Sequence, residues 1–335
     1  MQRNSSDHIQ TVLVTGGAGY IGSHACKALK ASGYLPVTYD NLSTGWADAV
    51  KFGPLEIGDL NDRSRLDEVF TKHQPIAVLH FGALSDVGQS VREPGLYWRN
   101  NAVGSLNLIQ AMVAANCLKI VFSSTCATYG KQDNVVLDES TPQQPINSYG
   151  ASKLAIENML ANFGESYGLT SVIFRYFNVA GADPDGEIGE FHRLETHLIP
   201  LAVMAVLGQR GPLTIFGTDY DTNDGTCIRD YVHVIDLIDA HLKGLDWLKS
   251  GRESRAFNLG TGRGFSVREV IDITSEVTGV TVPHKEGARR AGDCTKLVSG
   301  STRAGAELGW RPDRSTLPQM IGDAWRWHQV GTYEK

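Results

Sequence analysis

Residues Thr11–His24 read TVLVTGGAGYIGSH, and this stretch decides the fold. Its first five residues are β-branched or leucine, the composition of a strand buried on both faces. Gly16, Gly17, Gly19 and Gly22 follow within seven positions, and a helical pattern runs from Tyr20 to Ala31. Strand, glycine turn and helix start in direct succession form a cradle for a pyrophosphate. The glycines permit the tight turn, close backbone approach and tight helix-on-strand packing, while the helix start offers N–H groups and a positive dipole end. Asp40 closes a second strand, PVTYD, 18 residues beyond Gly22. A carboxylate there accepts hydrogen bonds from an adenosine ribose and repels a 2′-phosphate, which selects NAD over NADP.

Outward from this stretch, β-rich runs alternate with helix-length segments: Asp62 to Lys72, IAVLH, Leu96 to Ala115, KIVFS, Ser148 to Tyr167 and SVIFRYF. The rhythm predicts an α/β fold, a Rossmann-type doubly wound parallel sheet spanning residues 11–180. Gly181 to Thr196 reads as a long irregular connection. Helices over Leu198 to Leu207, Val234 to Leu248, Ser266 to Thr278 and Thr316 to Gln329, mixed with short strands, predict a smaller mixed α/β C-terminal lobe over 181–335. Segments near 230–260 are expected to return to the first domain, and the lobe should lie beside the carboxyl ends of the parallel strands, where such sheets bind ligands. Residues 1–10 read as a disordered lead-in without the apolar core of a signal peptide.

The 335 residues, 41% hydrophobic and 20% charged, contain no apolar run of the ~18 residues that a membrane span needs. A net charge of −6 without a Lys/Arg cluster argues against nucleic acid or an anionic membrane as partner. Five scattered cysteines without a C-x-x-C pair predict reduced thiols and a cytoplasmic protein. The ten histidines, His192, His197 and His233 among them, are too dispersed along the chain to predict a metal site, and none is expected. His197 is read equally as a structural residue or, with its neighbour Leu198, as lining a binding pocket.

Tyr149 and Lys153 stand four residues apart at the start of a predicted helix, on one face. A lysine charge there stabilises a phenolate and lowers the tyrosine pKa, making Tyr149 a candidate general base. Ser123-Ser124-Thr125 ends the strand KIVFS and offers hydroxyls at the carboxyl edge of the sheet. Cys126 reads as a small packing residue rather than a nucleophile, because no histidine is close in sequence.

These features together resemble the extended short-chain dehydrogenase/reductase family. The stretches TGGAGYIGSH, YDNLSTG, GDL, VLHFGAL, Asn100-Asn101, FSSTCATYG, INSYGASK, RYFNVAGA, HLIPLA, FGTDYDTNDGTCIRDYVHV, FNLGTG and ARRAGD are similar, in order and spacing, to the UDP-glucose 4-epimerases within it. The resemblance implies inversion at C4 of a UDP-sugar through a transient 4-keto intermediate, with tightly bound NAD as hydride carrier and Tyr149 as base. It places Thr125, Tyr149 and Lys153 in catalysis. It implies NAD contacts from Gly16, Gly19, Tyr20, Ile21, Asp40, Asn41, Asp59, Leu60, Phe81, Asn100, Tyr149, Lys153 and Tyr176. UDP-sugar contacts are implied for Thr125, Asn178, Leu198, Thr214, Phe216, Arg229, Arg290 and Asp293, and guanidinium forks suit a diphosphate. A homodimer is implied, formed by the helices Leu96 to Ala115 and Ser148 to Tyr167.

Three positions depart from the family pattern. Thr125 stands where serine is most frequent, Ser85 where many members carry a lysine facing the cofactor, and Leu297 at the gatekeeper position that varies between tyrosine and cysteine or serine. N-acetylhexosamine or pentose substrates are therefore alternatives to the hexose. A sugar-nucleotide dehydratase needs acids after the catalytic threonine, whereas Cys126-Ala127 follow here. A non-catalytic NAD-binding regulator would not require Tyr149 and Lys153, and a reductase would release its reduced cofactor.

Overall fold

The computed structural model describes residues 9–132, 136–290, 293–300, 302–331 and 333. The lead-in read over residues 1–10 lies, for residues 1–8, outside the described residues, as do Ala291 and Gly292 of the ARRAGD stretch. The strands are β1 (Thr11–Thr15), β2 (Leu35–Asp40), β3 (Leu55–Ile57), β4 (Ala77–His80), β5 (Lys119–Thr125), β6 (Val136–Leu137), β7 (Thr170–Tyr176), β8 (Asn178–Ala180), β9 (Leu213–Phe216), β10 (Ile228–His233), β11 (Arg255–Leu259), β12 (Gly264–Ser266), β13 (His284–Gly287) and β14 (Lys296–Ser299). The α-helices are α1 (Tyr20–Ala31), α2 (Arg63–His73), α3 (Val87–Arg92), α4 (Pro94–Tyr97), α5 (Gly104–Ala114), α6 (Ser148–Tyr167), α7 (Leu198–Val206), α8 (Val234–Lys249), α9 (Val267–Thr278), α10 (Thr302–Leu308) and α11 (Leu317–Val330).

Seven strands form one parallel sheet in the order β3-β2-β1-β4-β5-β7-β11. Successive side chains of β1 point to opposite faces, and both faces are covered. Val12 and Val14 pack with Ala25 and Leu29 of α1 and Leu237 and Leu245 of α8. Leu13 packs with Leu66 of α2, Leu108 of α5 and Ile156 of α6. All three β1 residues are fully buried, each worth about 1.5–3 kcal/mol relative to exposure. This is the doubly wound architecture expected from the near-continuous apolar strands. The strand order reverses between β1 and β4, which opens a crevice at their carboxyl ends.

A second sheet runs β12-β10-β14-β6, with β8 beside β10, and a short parallel pair joins β9 to β13. Helices α7, α9 and α11 enclose a separate core containing Ile199, Val270, Met320 and Ile321. Between the two sheets the chain crosses back: α8 packs beside α1, and β11 extends the large sheet next to β7. Among the described residues, no helix is long and apolar enough to cross a membrane.

One predicted helix is corrected. The span Leu96 to Ala115 is not a continuous α-helix, because residues Trp98–Val103 form a π-helical segment between α4 and α5. The extra residue per turn seats Asn101 inward, where its side chain holds the backbone of Leu84 and the Ser152 hydroxyl of α6. Apolar spacing cannot reveal such a turn. The elements β3 and α3, three and six residues long, are too short for a periodicity to show.

Candidate active site

Two loops meet at the reversal of strand order. A Cβ on Gly16 would stand 2.7 Å from the Gly82 amide nitrogen after β4, and Gly16 itself adopts φ +71°. A Cβ on Gly22 would lie 2.1 Å from the Gly16 carbonyl oxygen. Both positions therefore exclude any side chain. Helix α1 begins on Gly19 with no side-chain cap and no acid in its first turn, which leaves its first amides open to an anion. Asp40 terminates β2 beside this turn, accepting from the Ala18 amide at 3.1 Å and the Leu42 amide at 2.8 Å. Burial raises its pKa. The residues fit a dinucleotide: a cradle that one methyl group would fill, an uncapped helix start, and a carboxylate at the end of the neighbouring strand.

The other residues read from the sequence for this side stand on α1, at the end of β7, on the loops after β2, β3 and β4, and on the π-helical segment. Asn41 donates to Asp59 at 2.7 Å, Leu60 packs under Gly104 and Gly82, and Phe81 meets the His241 ring at 4.9 Å between centroids. Ile21 packs against the core behind α1. The Tyr20 hydroxyl is engaged by the chain itself, donating to the Gly181 carbonyl at 2.6 Å. Asn100 donates to Asn101 at 2.9 Å, so Asn101, quoted in the sequence beside Asn100 but given no role there, anchors that pair to Leu84 and α6. Ser85 is exposed on the following loop.

The catalytic candidates converge at the carboxyl end of β5. Asn147 caps α6 by accepting from the Gly150 amide at 2.8 Å, which places Tyr149 and Lys153 on consecutive inward turns. The buried Lys153 ammonium donates to the Ser123 carbonyl at 2.8 Å and lies 4.9 Å from the Phe122 ring centroid. Burial pulls its pKa down to about 7, while Glu157 one turn later favours its charge. Thr125 faces Tyr149 within hydrogen-bonding reach, and Tyr176 shares a hydrogen bond with Ser123.

The spacing predicts that Lys153 lowers the Tyr149 pKa, but in the chain alone the outcome differs. Burial and the adjacent Tyr176 phenol push Tyr149 up, against a smaller opposite effect of the Thr125 hydroxyl. The Lys153 ammonium is drawn toward Ser123 instead. Cys126 is half-buried, its thiol pushed up to about 12 by burial, which leaves it unreactive as a nucleophile.

Behind these residues lies a polar network that sequence reading missed. Glu157 accepts from Ser124 and from Arg175 at 2.6 Å, Arg175 donates to the Tyr129 hydroxyl at 3.1 Å, and Tyr129 donates to Asn258 at 2.6 Å. It fastens α6 to β5, β7 and β11. The only signal was Glu157 standing four residues after Lys153.

The residues read for the sugar nucleotide come from six separated segments, Thr125 at the end of β5 among them. Arg229 on β10 donates to the Ile228 and Cys294 carbonyls at 2.9 Å and stands 3.7 Å from Asp293. Arg290 bonds the same carboxylate at 3.1 Å and lies 5.0 Å over the exposed Phe216 ring. Thr214 and Phe216 share β9, Leu198 opens α7, and Asn178 donates to the Asp230 carbonyl at 3.2 Å. Leu297 pairs with Arg229 across β14 and β10 and, with Cys126, packs on Phe177 and Tyr129. Cys126 is close enough to Arg229 to feel its charge, which joins this group to the Tyr149 group across one cleft.

The dispersal of histidines is corrected. The irregular segment after Ala180 doubles back, so that Glu190, His192, Glu195 and His197 place their ligand atoms within 4.8 Å of one another. The four stand within eight consecutive residues, but no helix or strand spacing relates them, so periodicity gave no sign that they converge.

The model of the NAD dependent epimerase/dehydratase family matches residues 12–260. The chain belongs to this family. Its epimerase relatives include the UDP-glucose 4-epimerase of Rhizobium meliloti (strain 1021), 52% identical over 317 residues that cover 95% of this chain and 96% of that one. Among solved structures, the UDP-glucose 4-epimerase from Brucella ovis in complex with NAD superposes with a TM-score of 0.92 at 47% identity, covering 95% of this chain and 98% of that one. The UDP-glucose-4-epimerase from Stenotrophomonas maltophila, with bound NAD and formylated UDP-arabinopyranose, superposes with a TM-score of 0.92 at 38% identity over 96% and 98% of the two chains.

Proposed function

We propose that this chain is an NAD-dependent 4-epimerase acting on UDP-glucose and UDP-galactose. The observation that carries the reading is the convergence of Tyr149, Thr125 and Lys153 at the carboxyl end of β5, with the adjoining Cys126 within electrostatic reach of Arg229. The extent of likeness to UDP-glucose 4-epimerases supports the choice of reaction. When bound, NAD supplies a reversible hydride acceptor with a cationic ring.

On this reading, residues 11–180 mainly hold the cofactor and residues 181–335 mainly hold the sugar nucleotide. Gly16, Gly19, Tyr20 and Ile21 face the pyrophosphate, Asp40, Asn41, Asp59 and Leu60 the adenosine end, and Phe81, Asn100, Lys153 and Tyr176 the nicotinamide end. Tyr149 acts from its phenolate form, which the Lys153 ammonium favours, and takes up the 4-hydroxyl proton to become the phenol while Thr125 holds that oxygen. The ketone must then present its other face. This requires a firm grip on the diphosphate and a loose one on the sugar. Arg229 and Arg290 supply the grip, Phe216 and Leu198 pack against the nucleotide, and Thr214, Asn178 and Asp293 complete its contacts. The apolar Leu297 and Phe177 leave the sugar few polar anchors. Free thiols at all five cysteines support a cytoplasmic location. The exposed Leu96, Trp98 and Val103 support a homodimer face beside α5 and α6.

The test is a parallel assay with UDP-glucose, UDP-N-acetylglucosamine and UDP-xylose on the purified protein with its bound cofactor. UDP-glucose is the expected best substrate, and equal or faster turnover of the pentose overturns the hexose assignment. Tyr149→Phe is expected to lower kcat by about 10²- to 10⁴-fold while retaining NAD and UDP binding; unchanged turnover overturns the role of Tyr149.

A further inference from the structure

Two clusters of potential metal ligands lie on the segment between β8 and α7, and they differ in one respect. Asp183, Asp185 and Glu187 already surround a cation, the Lys27 ammonium, at 2.6–2.7 Å. Glu190, His192, Glu195 and His197 surround no lysine or arginine among the described residues. Glu190 Oε1 lies 3.1 Å from His192 Nε2 and 2.9 Å from His197 Nδ1, and Glu195 Oε1 lies 2.9 Å from His197 Nδ1.

These separations are close to the edge of a coordination tetrahedron. Zinc bonds of about 2.0–2.1 Å to nitrogen and oxygen put neighbouring ligand atoms about 3.3 Å apart. These three separations need shifts of a few tenths of an ångström, and the remaining pairs, all within 4.8 Å, are closed by side-chain rotation. Two imidazoles with two carboxylates suit a borderline divalent ion of the first transition row.

A second observation points the same way. His328 of α11 is 8% exposed, and its Nε2 has no hydrogen-bond partner. It lies within electrostatic reach of Glu190, Glu195 and His192, and its neighbour Trp327 donates to the Glu190 carbonyl at 2.9 Å. A buried nitrogen without a partner costs about 1–3 kcal/mol. Beside this cluster, a cation-bound water or the ion itself would satisfy it.

We propose that Glu190, His192, Glu195 and His197 bind one divalent transition-metal ion of the zinc class, which pins the segment from Gly181 to His197. The position gives the pin a consequence. Tyr20, directly after Gly19 of the cradle, bonds the Gly181 carbonyl at the start of the segment, while His197 at its end directly precedes Leu198 of α7. The ion would thus fix α7 relative to the glycine turn. It takes no part in the proton transfer proposed for Tyr149.

The experiment uses the NAD-bound protein, treated with EDTA and dialysed. Cobalt(II) is titrated in and followed by its visible ligand-field absorption, then displaced with zinc, with metal content and Tm measured in parallel. One equivalent per chain, a tetrahedral-type cobalt spectrum and a higher Tm with zinc are expected. His192→Gln and His197→Gln should each weaken binding at least about tenfold. Absence of the cobalt spectrum in the wild-type protein overturns the site whether or not the variants fold. Binding that persists in the double variant with native NAD content overturns the assignment to these residues.

Discussion

The glycine cradle and the arginine pair, both proposed to receive phosphate, are made of different materials. In the cradle the groups on offer are backbone amides, held by a seven-residue turn whose carbonyls and amides are nearly in contact. Across the cleft, Arg229, Arg290 and Asp293 come from a strand and a distant loop, and the two guanidinium groups share one carboxylate. A backbone site is rigid and intolerant of volume, which suits a cofactor that stays bound. A side-chain site can exchange its internal ion pair for a ligand, which suits a substrate that enters and leaves. The contrast extends to titration. Buried histidines of the large-sheet half, His24, His80 and His241, have pKa values held down by burial to about 4, 3 and 4. In the other half His233 and His328 are held down in the same way, whereas His192 and His197 are held up by their carboxylate partners against the opposing effect of burial.

The comparison breaks most sharply at Gly22. A methyl group there meets the Gly16 carbonyl at 2.1 Å, a backbone atom that cannot turn aside. Gly22→Ala is expected to purify with NAD content reduced at least about tenfold and to lose activity with it, since overpacking costs about 1–3 kcal/mol even where the surroundings relax. UDP affinity by calorimetry should change little. Equal loss of both ligands would show that the two sites are not separable.

Arg290→Ala tests the opposite side and should act through charge. It is expected to weaken UDP binding about 10- to 100-fold, the value of hydrogen bonds to a charged group, and to leave NAD content intact. A variant with wild-type UDP affinity would assign the diphosphate to Arg229 alone.

The smallest effect is on stability. Because the folded pKa values of His24, His80 and His241 lie below the ordinary 6.5, the unfolded chain binds more protons as the pH falls. Their contribution is fully present above about pH 6.5 and is lost progressively toward pH 3–4. Between pH 7 and 6 the three together cost about 2 kcal/mol, read as a Tm lower by a few degrees. Replacing His241 with Gln should reduce this pH dependence by about a third. Because His192 and His197 act in the opposite sense over this range, the deciding comparison is with the variant: a His241→Gln protein whose Tm falls as steeply as the wild type would contradict the burial of a neutral imidazole at 241.

Much of the large-sheet half was legible because its signals are local. The strand β1, the glycine turn, the start of α1, and the pair Tyr149 and Lys153 on α6 each arise from fewer than about a dozen consecutive residues, and sterics or helical periodicity fix their geometry. By themselves these residues determined the α/β class, the doubly wound parallel sheet and the cofactor cradle. Tertiary structure decided what depends on residues far apart in the chain. It set Asp293 between two arginines, turned Asn101 inward through a π-helical segment, tied Glu157 to Arg175, and brought Trp327 and His328 of α11 beside Glu190. It also reversed the expected direction of the Tyr149 pKa shift in the chain alone, since spacing specifies that a lysine is near but burial sets the cost of ionising the phenol. The physical reason is common to all of these. Backbone conformation is written in neighbouring residues, whereas electrostatics and desolvation depend on every group that folding brings within a few ångströms, whatever its distance along the chain.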